Sequence, residues 1–180
     1  MTSFVRISAL ILWMLPVGAM AQTVADASLQ PRANMPSACA PRGDAQWQTP
    51  AEKSCYATTP DYDDTMAYLR RVQAAVPGQV KIEGFGRTGE GRELDIVIAS
   101  RDGVFDPAAI HAAKRPIVLV QNAIHAGEMD GKDACLALLR DMVINKTKAA
   151  LLERAVFVFI PMYNAEGHER RSPYNRITQD

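Results

Sequence analysis

His125 and Glu128, in the run H-A-G-E, are the residues of this chain best placed to do chemistry. An imidazole nitrogen and a carboxylate oxygen both offer lone pairs to a divalent cation, and three residues of spacing let both reach one small ion. Such a pair also arises by chance in surface loops, so its setting has to decide. Three features of the setting favour ligation: an apolar run ends just before it, Gly127 lets the backbone come close, and a second patterned block lies downstream. The pair reads as half of a metal site. Imidazole with carboxylate suits zinc, but equally manganese, cobalt or nickel.

Two strands must position this pair. Residues 117–120 (I-V-L-V) form a continuous aliphatic run, the pattern of a central strand covered on both faces. Residues 129–143 then carry Cys135, Leu136, Leu138, Leu139, Met142 and Val143 at helical spacing. The pair therefore lies between strand and helix, and in open α/β sheets ligands bind outside the carboxyl ends of the strands. Residues 155–160 (A-V-F-V-F-I) form a second apolar strand, expected in the same sheet. It runs into a polar segment with Asn164, Gly167 and several arginines, suited to an anion or a developing negative charge, or else a solvated surface loop.

The rest of the chain frames this site. Residues 1–21 have one early charge, Arg6, a short apolar core and an A-x-A end, which predicts a secretory signal cleaved before Gln22 rather than an uncleaved anchor. The protein is expected to be secreted or periplasmic, with no membrane span after cleavage. In an oxidising compartment Cys39 and Cys55 can pair, with Cys135 a buried free thiol; the alternative leaves all three reduced. Residues 22–58 form a Pro/Ala-rich leader whose prolines are expected to prevent regular structure. A helix is predicted to about residue 76, with Thr59 capping and Pro60 at the first position. Residues 80–87 and 94–100 read as a hairpin with both strands facing the core. Residues 105–114 read as a short helix with His111 on the surface, and 145–154 as a turn with another helical piece. The chain has 20 basic and 20 acidic residues and is 48% hydrophobic, with no basic stripe, so nucleic acid and membrane surfaces are excluded as main partners.

Several blocks in order, T-P-A-E-K-S, D-D-T-M-A-Y-L-R-R, G-R-T-G-E-G-R-E-L, H-A-G-E-M-D-G-K-D-A and I-P-M-Y-N-A-E-G, resemble the zinc carboxypeptidases of the funnelin type. The resemblance covers nearly the whole chain from about Thr49. It implies an α/β fold, a mixed central sheet flanked by helices in an α/β/α arrangement, incomplete at its C-terminal side, within residues 59–180. It implies one Zn2+ ion with His125 and Glu128 as the first two ligands. Asn164 to Gly167 match the family's asparagine-proline-aspartate-glycine turn, here N-A-E-G, with Asn164 and Arg176 contacting substrate. Arg176 resembles the arginine that stabilises the oxyanion, with Arg170 and Arg171 as alternatives. Where the best-known members have an arginine before the ligand glutamate, this chain has Gly127.

The implied activity is that of an exported zinc metallocarboxypeptidase acting on C-terminal bonds of a peptide substrate. No oligomeric state is indicated. The family's third ligand, a histidine, and its general-base glutamate have no counterpart here; His168 is the one nearby substitute for the ligand. The 180 residues are accordingly expected to be the amino-terminal half of a larger protein, inactive alone, with an apolar sheet edge left open. Two other readings stay open: a deacylase of the same fold that cleaves N-acyl amino acids, and a non-catalytic exported binding domain.

Overall fold

The computed structural model describes residues 44–170. The signal sequence, Cys39, Arg171 and Arg176 lie outside the described residues. Where the leader enters them, the prolines do not prevent order as expected. A short 3-10 helix spans Ala45–Trp47 and α1 spans Pro50–Lys53. Thr49 and Glu52 form a reciprocal capping box, Thr49 N donating to Glu52 Oε2 at 2.8 Å and Glu52 N to Thr49 Oγ1 at 3.2 Å. Pro50 occupies the first helical position, where its missing N–H costs nothing. Thr49 and Ala51 are fully buried, so this part of the leader belongs to the core.

α2 spans Tyr62–Ala75. Its cap is Asp61, which accepts from the Asp64 amide at 2.8 Å, and not Thr59. β1 (Val80–Arg87) and β2 (Glu93–Ala99) pair antiparallel across a turn in which Gly91 takes φ +88°. Both strands face the core, unequally: Val97, Ile98 and Ala99 of β2 are buried, whereas β1, at the sheet edge among the described residues, contributes buried Val80 and half-buried Ile82. α3 spans Pro107–Ala112, with His111 exposed as expected. β3 (Ile117–Gln121), α4 (Asp130–Val143), α5 (Ala150–Arg154), β4 (Val156–Ile160) and α6 (Ala165–Glu169) complete the described chain. The five-residue α6 replaces what the polar composition predicted as a loop, because Asn164 caps it.

The sheet is mixed, in the order β1-β2-β4-β3, with β2 antiparallel and β3 parallel to β4. On one face α2 and α4 pack through Met66, Leu69, Val72, Leu136, Leu139 and Met142 against Val97 and Phe159. On the other, Ile110 of α3 packs with Ile98 and Val156. This is the expected α/β/α arrangement. The central position predicted for β3 is not what the described residues show. β3 stands at the sheet edge, bonded to β4 alone among them, with Ile117 48%, Val118 38% and Leu119 59% exposed. An aliphatic run on both faces says that a strand suits burial on both sides; it does not say which element covers it.

Candidate functional site

The path from β3 to His125 is set by backbone conformation. Asn122 N donates to the Ile160 carbonyl at 3.0 Å, Tyr163 N to the Asn122 carbonyl at 3.0 Å, and Asn164 N to the Ala123 carbonyl at 2.9 Å. These bonds continue the parallel pairing of β3 and β4 past the strand ends. They place the 161–167 turn beside the loop that carries His125 and Glu128, as the single-sheet expectation required. Buried Ala123 turns the chain off the sheet at φ +48°, a left-handed conformation that costs a non-glycine residue about 1 kcal/mol. Gly127 follows at φ +83°. Nothing lies within 4 Å of a Cβ added there, so glycine serves the backbone conformation and not a close approach.

His125 Nδ1 lies 2.9 Å from Glu128 Oε2, within hydrogen-bonding distance. Both side chains are about half exposed, at 58% and 47%. The two ligand-type atoms of the motif thus converge on one point at the protein surface. The donor chemistry fits a divalent cation in number two, not three: among the described residues, no group of three His, Cys, Asp or Glu side chains could hold an ion. His168 does not supply the third. It is buried, and its Nδ1 is 2.9 Å from Glu169 Oε1.

The other site residues separate by role. Asn164 Oδ1 accepts from the Gly167 amide at 3.0 Å and so caps α6. A Cβ on Gly167 would lie 2.6 Å from Asn164 Nδ2, which is why this turn takes glycine. Arg170, one alternative to Arg176, forms an ion pair with Glu90 of the β1–β2 turn. Arg176 and Arg171 lie outside the described residues. Cys55 is disulfide-bonded and Cys135 is free; Cys39 lies outside the described residues. Burial pushes the Cys135 thiol up, against a weak hydrogen bond to Asn122 Oδ1 at 3.5 Å, so it is a packed group and a poor nucleophile.

A cleft of about 550 Å³ opens at Gly127, between His125 and Glu128 in sequence, with Tyr56, Thr58 and Thr59 on one side and Gly127, Met129 and Asp130 on the other. Behind it, Lys132 is fully buried and donates to the Pro60 carbonyl at 2.6 Å. Sequence reasoning passed over Lys132, although a signal was present: a cation in the first turn of a helix sits at the unfavourable end of the helix dipole.

The family model for zinc carboxypeptidases matches residues 65–179. A probable carboxypeptidase 2 from Trichophyton verrucosum is 30% identical over 112 residues, covering 60% of this chain and 21% of the relative. Carboxypeptidase A6 of Mus musculus is 28% identical over 119 residues, covering 64% and 25%. This chain therefore spans about a fifth to a quarter of the length of these relatives. Among solved structures, carboxypeptidase A from Helicoverpa armigera superposes with a TM-score of 0.54 at 23% identity, covering 62% of this chain and 26% of that one, a likeness of fold.

Proposed function

Because the chain belongs to the zinc carboxypeptidase family, we propose that it forms part of an exported zinc-dependent enzyme that removes C-terminal residues from peptides. The observation that carries this reading is the hydrogen-bonded meeting of His125 Nδ1 and Glu128 Oε2 on an exposed loop at the end of β3. His125 and Glu128 would hold the zinc ion, with a third ligand from outside the described residues. Bound there, zinc supplies Lewis-acid polarisation of the scissile carbonyl and lowers the pKa of water.

The chain's own residues do the rest of what this part can do. The 161–167 turn is pinned to Asn122 and Ala123, and from it Asn164 would contact the substrate. Arg176 would offer guanidinium donors to the charge that develops on the carbonyl oxygen. The cleft bordered by Gly127 and Met129 gives the peptide a path to the site. Signal cleavage after Ala21 would deliver the protein outside the cytoplasm; no helix of the described residues is long and apolar enough to cross a membrane.

The test is metal content and zinc affinity of the purified chain beside a His125→Ala variant. With two of the three ligands present, weak zinc binding that is lost in the variant is expected. A folded wild type whose zinc affinity is no higher than that of His125→Ala would remove the metal reading from His125 and Glu128.

A further inference from the structure

Lys132 is buried without exposure in the first turn of α4, where the helix dipole disfavours a cation and loss of hydration disfavours any charge. Its place there is explained by what it holds. Nζ donates to the Pro60 carbonyl at 2.6 Å, lies 3.0 Å from the Asp133 carboxylate and 3.5 Å from Thr65 Oγ1. Asp133 in turn accepts from the Thr59 hydroxyl at 3.0 Å. The first turn of α4 is thereby tied to the segment that starts α2. On another side of the same turn, Gly131 sits so close to Asn122 that an added Cβ would lie 2.9 Å from Oδ1. Asn122 is held in its turn by Ile160, which accepts from its backbone N at 3.0 Å and from Nδ2 at 3.2 Å.

These contacts bear on the metal pair because its two members have different supports. His125 follows Asn122 and Ala123 from the sheet, whereas Glu128 leads into α4. Their separation depends on where the first turn of α4 sits against the end of β3. We propose that Lys132 is a positioning residue for the metal pair: by tying α4 to the Pro60 carbonyl, it presses the turn onto Asn122 and sets Glu128 at ligating distance from His125. This rests on the metal reading above.

The test compares wild type, Lys132→Met and Lys132→Gln in zinc affinity and in amide hydrogen exchange. Lys132→Met removes every donor, and zinc affinity should fall by about tenfold or more, the usual effect of losing a residue that orients a ligand. Lys132→Gln keeps a shorter donor toward Pro60 and should fall in between. The amides of Glu128 and Asp133, bonded to His125 O and Met129 O, should exchange faster in Lys132→Met, while those of β4 stay protected. A purely structural role would instead speed exchange throughout. Unchanged affinity and unchanged exchange in folded Lys132→Met overturn the proposal; if that variant does not fold, the same unchanged values in Lys132→Gln do so. A wild-type chain that binds no zinc fails the metal reading alone, and the exchange comparison still decides whether Lys132 positions the turn.

Discussion

The two ends of α4 each bury a cation, and they do so for different ends. Near the C-terminus, Arg140 is 2% exposed, pairs with Glu52 of α1, and donates from Nε to Asp141 at 2.9 Å. Burial pulls its pKa down, but hydrogen bonds to Glu52 and Asp141 outweigh that and leave it raised. The helix dipole favours a cation there. At the N-terminus Lys132 has the dipole against it and is offset by the Asp133 carboxylate at 3.0 Å, while its shortest hydrogen bond goes to a neutral carbonyl. Arg140 joins the leader to the core. Lys132 lies one turn from exposed Glu128 and ties the start of α4 to the segment that starts α2. A buried charge that electrostatics favours reads as stability, and one set against the dipole points to placement.

The contrast can be broken most severely at Arg140. Arg140→Ala strands the buried Glu52 carboxylate and should cost about 3–5 kcal/mol in denaturant unfolding, as breaking a buried pair does. A loss below 1 kcal/mol would remove the distinction drawn here. Gly131→Ala acts at the other end. Its Cβ meets Asn122 Oδ1, which the bonds to Ile160 prevent from yielding, so stability should drop by about 1–3 kcal/mol, the usual range for overpacking. Zinc affinity should drop with it, whereas Arg140→Ala, measured while still folded, should leave zinc affinity nearly unchanged.

Tyr68 sharpens the description of the Arg140 end. Its hydroxyl donates to the Trp47 carbonyl at 2.9 Å, and burial pushes its pKa from about 10 up to about 12. The folded state therefore holds this proton more tightly than the unfolded chain. The resulting stability is whole below pH 10 and is lost as pH rises through 12. Tyr68→Phe should cost about 1 kcal/mol at neutral pH for the lost hydrogen bond and flatten the alkaline limb of the stability curve. An unaltered limb would mean that another group controls it. The smallest effect is expected on β3. Leu119→Lys, at a 59% exposed position, should shift stability by no more than about 0.5 kcal/mol and reduce self-association in light scattering. A large loss would show that this face of β3 is covered in solution.

The strands, the helix after His125 and Glu128 and the α/β class were legible because each rests on local periodicity. Ile117 to Val120 and Val156 to Ile160 are aliphatic or aromatic throughout, and α4 shows its apolar stripe in the spacing of Leu136, Leu139 and Val143. The meeting of the His125 and Glu128 side chains was legible because three residues of spacing confine them to one loop. The capped α1 was missed because the four prolines of the leader outweighed the Thr49–Glu52 box, although that box is itself a local signal. The edge position of β3 and the exposure of β1 were not legible at all, since both depend on which strands lie beside them.

What the sequence determined by itself was therefore the set of chemical groups and the local turns that present them: an imidazole, a carboxylate and an asparagine-capped turn, each following an apolar strand. The tertiary structure decided which of them meet. The bonds from Tyr163 and Asn164 to Asn122 and Ala123 join segments about forty residues apart in sequence, and the bond from Lys132 to Pro60 spans seventy-two. Contacts over such separations follow from strand order and helix packing, in which every element competes for the same buried surface, so no window of sequence encodes them.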